Sequence, residues 1–134
     1  LEERVIAAIA AHGVSDRSVV TSFSHAVLAR LNQLAPELPR VAAVNAEAAQ
    51  SLGLDETLRA LSLLADIVAV EHVLLRAEWD RITAILPPDR LGVWTPNEAA
   101  DLAFWVGRPV RFVTTDRPDL ALKEREILMA GENA

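Results

Sequence analysis

The chain has 134 residues, enough for one domain with one core. It is 51% hydrophobic and 24% charged, a globular balance and not a disordered one. Its formal net charge of −6 argues against a non-specific nucleic-acid surface, which needs clustered Lys and Arg, and the lack of cysteine excludes disulfides and thiolate metal sites.

Leu1–His12 places Val5, Ile6 and Ile9 on one helical face, with Gly13 as a natural C′ residue. The first residue is Leu and not Met. The expectation is that these residues continue a longer chain, with any export signal upstream. Val19–Phe23 reads as a strand. Ser24–Leu34 reads as a helix, with Ser24 at its cap and Pro36 beyond its end. Val41–Val44 is a second strand. Asn45–Gly53 is the least patterned stretch, a helix or loop beside the strand ends. Asp55–Leu64 is a helix and Ile67–Val70 a third strand. Arg76–Leu86 is a helix stopped by Pro87-Pro88. Leu91–Trp94 is a strand, and Asn97–Val106 a helix with Asn97 as cap and Glu98 and Asp101 in its first turn. Val110–Thr114 is the fifth strand and Leu120–Met129 the last, amphipathic helix.

These strands are short, β-branched and mostly without polar alternation, as strands buried on both faces are. Their starts are separated by 22, 26, 24 and 19 residues. Right-handed crossovers would make all five parallel. The predicted class is α/β, either an open doubly wound sheet or part of a (β/α) barrel. No Gly-rich phosphate loop follows any strand, so dinucleotide binding has no support. No apolar run approaches the roughly 20 residues a membrane helix requires. A cytoplasmic location is the default.

Polar and aromatic groups collect at the strand C-terminal ends, where parallel α/β folds keep their sites. They are Ser22 to His25, Asn45, Glu71-His72, Trp94 to Asn97, and Thr115 to Arg117. Glu71 and His72 could supply an acid, a base or a ligand, against the competing reading of a helix cap. Trp94 at a strand exit suits an aromatic pocket wall. Trp79 and Trp105 lie in helical patterns and read as packing residues. Asp116 could cap the last helix. The three histidines and scattered carboxylates form no metal-site motif.

Val93-Trp94-Thr95-Pro96-Asn97, followed by Thr114-Thr115-Asp116-Arg117-Pro118-Asp119-Leu120, resembles the C-terminal end of glycerophosphodiester phosphodiesterases. There the penultimate strand ends in V-W-T-x-N and the last in T-D-x-P. Val20-Thr21-Ser22-Phe23 resembles the S-F strand end of that family. One departure is Arg108–Val113, which stands where the family has a G-V-D-G-I-I run.

The resemblance implies an incomplete TIM (β/α)8 barrel, with residues 1–134 supplying strands four to eight of a single domain. It implies hydrolysis of a glycerophosphodiester to glycerol 3-phosphate and an alcohol, in lipid and glycerol metabolism. Two His would act as acid and base beside a divalent cation, calcium or magnesium. The family's H-R-G and E-x-D motifs have no match here. The acid, base and metal ligands would therefore lie in the N-terminal half of the barrel, and this segment alone would be inactive. Phe23 and Trp94 would form the apolar pocket wall, with Ser22, Asn97 and Glu71 as polar contributors. The alternative is a non-catalytic α/β module that binds a small ligand or a partner through an exposed sheet edge.

Overall fold

The computed structural model describes residues 1–132. Strands and helices alternate as α1 (Glu2–Ala11), β1 (Val20–Ser22), α2 (His25–Leu34), β2 (Arg40–Val44), α3 (Leu54–Leu64) and β3 (Ile67–Glu71). They continue as α4 (His72–Ala77), α5 (Trp79–Thr83), β4 (Leu91–Trp94), α6 (Ala99–Val106), β5 (Phe112–Thr114) and α7 (Pro118–Glu132). Single 3-10 turns at Ser15–Arg17 and Pro88–Arg90 lead into β1 and β4.

The strands are parallel and lie in one open sheet in the order β1-β2-β3-β4-β5. Each crossover thus returns beside the strand it left. A doubly wound sheet reverses its order at a switch point, and this one does not. The order is that of a barrel wall. Burial follows position: β2 is buried along its whole length and β3 and β4 through their centres, while β1 and β5 are partly open.

The chain divides into two units, Leu1–Val68 and the residues from Ala69 onward. In the first unit, α1 ends in a Schellman motif. Gly13 N–H donates to Ala10 O and Val14 N–H to Ile9 O, with Gly13 at φ 63°. A residue with a Cβ would be strained there. The helix α2 starts where the sequence predicts, with Ser24 Oγ accepting from Val27 N–H at 3.2 Å. It buries Leu28 and Leu31, and α3 buries Leu54, Leu58 and Leu61. Each such leucine contributes about 1.5–3 kcal/mol relative to exposure. Asn45–Gly53 forms a series of turns. Asn45 Oδ1 organises it by accepting from Ala48 N–H at 2.8 Å.

Arg40 was expected outside the strand but opens β2, with only 6% of its surface exposed. Its guanidinium donates to Leu64 O at the end of α3, and to Pro36 O and Leu38 O after α2. It also donates to Asn32 Oδ1. Its charge is thereby set among carbonyls at helix C-terminal ends, where the helix dipole favours a cation.

In the second unit, β4 pairs with β5 in the register Gly92↔Phe112, Val93↔Val113 and Trp94↔Thr114. A Cβ at Gly92 would fall 2.3 Å from the Phe112 ring, so the aromatic ring lies where only glycine leaves room. The predicted single helix Arg76–Leu86 is instead two. The helix α4 begins four residues earlier, at His72, because Glu71 caps it directly off the strand. Glu78, at φ −114° and ψ 26°, then separates α4 from α5. Trp105 is buried, as expected of a packing residue. Its ring centroid lies 6.1 Å from that of Trp79 and 4.9 Å from that of Phe104, the latter pair edge-to-face. Arg76 and Arg108 both lie against the Phe104 ring, 4.0 and 4.3 Å from its centroid.

Candidate functional site

The ends of β3, β4 and β5 carry Glu71, Asn97, Thr115 and Asp116. Glu71 closes β3. Its carboxylate accepts from Val73 N–H and Leu74 N–H, both at 3.1 Å, and so caps α4. His72 Nε2 lies 3.6 Å from Glu71 Oε1. His72 belongs to the helix and not to the strand.

Trp94 closes β4, half-buried, and its Nε1–H donates to Ala69 O of β3 at 2.9 Å. The Trp94–Thr95 peptide is cis. Pro96, two residues on, is buried. Asn97 was expected to cap the next helix and does not. The helix α6 starts at Ala99, with Glu98 in the cap position and no side-chain cap bond. Asn97 turns instead toward the loop after β5. Its Oδ1 accepts from Thr115 Oγ1–H and from Asp116 N–H, each at 2.9 Å. Its Nδ2–H donates to Asp116 Oδ2 at 3.0 Å.

Asp116 was a candidate cap for the last helix, but its carboxylate is engaged by Asn97. The turn into α7 is organised by Thr115 Oγ1, which accepts from Arg117 N–H at 3.0 Å, and Pro118 begins the helix. Arg117 then grips Asp119 with two bonds, at 3.1 and 2.9 Å. That contact raises the Arg117 guanidinium above its ordinary value and holds the Asp119 carboxyl below its own, in each case chiefly through the side-chain hydrogen bond.

In the first unit, Ser22 and Phe23 follow one another at the end of β1. Ser22 Oγ accepts from Ser24 N–H at 3.0 Å, and the Phe23 side chain is 53% exposed. A cavity of about 240 Å³ lies between α1, β1 and α2. Val5, Val20, Val27 and Leu31 supply apolar lining, and Ser22 also lines it. His25 stands in the first turn of α2 and His12 at the C-cap of α1.

Of the five candidate site residues, Glu71, Trp94 and Asn97 thus stand on neighbouring strand ends of one unit. Ser22 and Phe23 stand on the strand end of the other. Sequence reading placed all five at strand ends. It missed that Asn97 joins Thr115 and Asp116, because a contact between residues 18 and 19 positions apart leaves no local pattern.

Among the described residues, no group of three or more His, Asp or Glu side chains is placed to hold a metal ion. Glu71 and Asp116 spend their carboxylates on backbone and amide N–H groups. The residues present do not fit a calcium or magnesium site, which takes several converging oxygen ligands. No helix among the described residues is long and apolar enough to cross a membrane.

No protein-family model and no curated protein matches the chain. Solved structures do. A protein from Agrobacterium tumefaciens named as a glycerophosphoryl diester phosphodiesterase is 23% identical with a TM-score of 0.79, over 94% of this chain and 51% of that one. One so named from Silicibacter pomeroyi is 18% identical with a TM-score of 0.72, over 95% and 44%. A glycerophosphodiester phosphodiesterase from Parabacteroides distasonis is 16% identical with a TM-score of 0.71, over 98% and 51%. The likeness is one of fold: parallel strands alternating with helices, as in part of a TIM barrel. The chain spans about half the length of the solved structures it matches.

Proposed function

We propose that this chain forms the C-terminal part of a glycerophosphodiester phosphodiesterase barrel. The whole enzyme would hydrolyse a glycerophosphodiester to glycerol 3-phosphate and an alcohol. The observation that carries this reading is the fold match. It covers at least 94% of this chain and about half of each of three phosphodiesterase-named structures. The order of the V-W-T-P-N and T-D-R-P strand ends supports it independently.

In this reading the chain supplies a wall of the substrate pocket. Trp94 offers an apolar face toward the glycerol or the alcohol, with its indole N–H already committed to Ala69 O. Phe23 offers a second exposed aromatic surface at its own strand end. Ser22 and Glu71 add polar groups, and Asn97 stands at the rim. The general acid, the general base and the ligands of a divalent cation come from the N-terminal strands of the barrel. When bound, the cation would neutralise charge on the phosphodiester. The residues here bind and orient the non-reacting part of the substrate, which lowers KM more than it raises kcat.

The test is an assay of these 134 residues and of the complete enzyme on glycerophosphocholine with calcium or magnesium. Turnover is expected from the complete enzyme and none from the segment. Turnover by the segment would refute the placement of the acid, base and metal ligands elsewhere. A coding sequence that lacks H-R-G and E-x-D upstream would remove the enzyme reading.

A further inference from the structure

We infer that Asn97 is a positioning residue, which clips the Trp94–Asn97 segment to the loop after β5 and thereby fixes the indole of Trp94. The inference rests on the reading of Trp94 as pocket wall. It extends that reading from which residue meets the substrate to what holds that residue in place.

The segment is tethered at both ends. At one end the Trp94 indole donates to Ala69 O. At the other, Asn97 makes three bonds to Thr115 and Asp116. Between them Pro96 is buried and has a ring-restricted φ. The orientation of the Asn97 amide is forced. A flipped amide would turn its NH2 toward the Asp116 backbone N–H and its oxygen toward the Asp116 carboxylate.

Two further observations separate this role from direct substrate contact. An amide oxygen accepts two hydrogen bonds and an amide NH2 donates two. Among the described residues, three of those four are already taken inside the fold, both acceptor positions among them, which leaves one N–H. In addition, Asn97 lies just ahead of a helix with no side-chain cap bond. Ser24, in the cap position of α2, uses its side chain on the helix. Asn97 gives up that use for a cross-link to a loop 18 and 19 residues away.

Swapping donor and acceptor tests the clip. Asn97→Asp keeps the oxygen that accepts from Thr115 but sets a carboxylate against Asp116. The double variant Asn97→Asp with Asp116→Asn restores one donor facing one acceptor, at the parent net charge. Hydrogen exchange is read at the backbone amide of residue 116 and at the Trp94 indole by NMR. Kinetics of the complete enzyme on glycerophosphocholine give KM and kcat separately.

Asn97→Asp is expected to speed both exchange rates about tenfold and to raise KM about tenfold, the equivalent of one lost charge-assisted hydrogen bond. Its kcat is expected to stay within about twofold, since the wall contributes binding common to substrate and transition state. The swap should return every value to within about twofold of the parent. Unchanged exchange in Asn97→Asp, or a swap that fails to recover, overturns the clip whatever the turnover. Faster exchange with an unchanged KM overturns the positioning role through the pocket-wall reading, because the indole then moves without consequence for the substrate. Should Asn97→Asp fail to fold, the folded swap variant with parent exchange and KM supports the clip, and its failure to fold overturns it.

Discussion

Arg40 carries a charge into the interior of the first unit and holds it there with carbonyls. Leu64 O, Pro36 O and Leu38 O receive its N–H groups, and Asp66 Oδ2 accepts its backbone N–H at 2.9 Å. Removing the guanidinium strands several buried acceptors at once, the costly direction of the hydrogen-bond asymmetry. Arg40→Ala is expected to lower unfolding stability by about 2–5 kcal/mol in chemical denaturation, and Asn32→Ala by less than about 1.5 kcal/mol. Nothing in the sequence marked Arg40 for this, since an arginine ahead of an apolar run reads as a solvated flank. A second residue-scale expectation concerns Asp119, whose carboxyl is held low chiefly by its hydrogen bond with Arg117. A depressed folded-state pKa contributes stability above the ordinary carboxylate range, and that contribution is lost as pH falls through the folded value. Both side chains are largely exposed, so the effect on stability is small and screened by salt. An NMR titration should place the Asp119 midpoint below the ordinary carboxylate range, and Arg117→Gln should move it upward.

At the scale of elements, local signals succeeded where a residue acts on its immediate neighbours. Ser24 caps α2, and Gly13 closes α1 with both expected bonds. They failed where a side chain had a choice. Asn97 left its helix for the loop after β5. Glu71 fits its helix-cap reading, ending a strand and starting a helix in one residue. Glu71 holds two of the first free N–H groups of a six-residue helix. Glu71→Ala is therefore expected to cost about 1–2 kcal/mol, and Glu71→Gln, which keeps one acceptor oxygen, less than half of that. Thermal unfolding of the two variants measures the difference. Equal losses would show that the carboxylate oxygens do not act as the cap.

For the whole molecule, the strand order carries the most meaning. Among the described residues, β1 and β5 end the sheet, each paired on one side only. Val19 and Phe23, flanking β1, are 55% and 53% exposed. Open edges of this kind template pairing with other chains. The 134-residue chain is expected to self-associate with rising concentration in sedimentation equilibrium, and Thr21→Lys, on the exposed side of β1, to reduce that association. A concentration-independent monomer mass would refute the expectation.

The sequence by itself determined the alternation of five short strands with helices, most helix ends, and the placement of Ser22, Phe23, Glu71, Trp94 and Asn97 at strand ends. Apolar period, caps and turn residues act within a few positions, and their physics is complete in a short window of chain. Only the tertiary structure decided the unreversed strand order, the burial of Arg40 and the partners of Asn97. Each of these depends on groups distant in the chain meeting in space. An Asn before a helix, or an Arg before a strand, has a satisfactory local use as well, and packing chooses between the two.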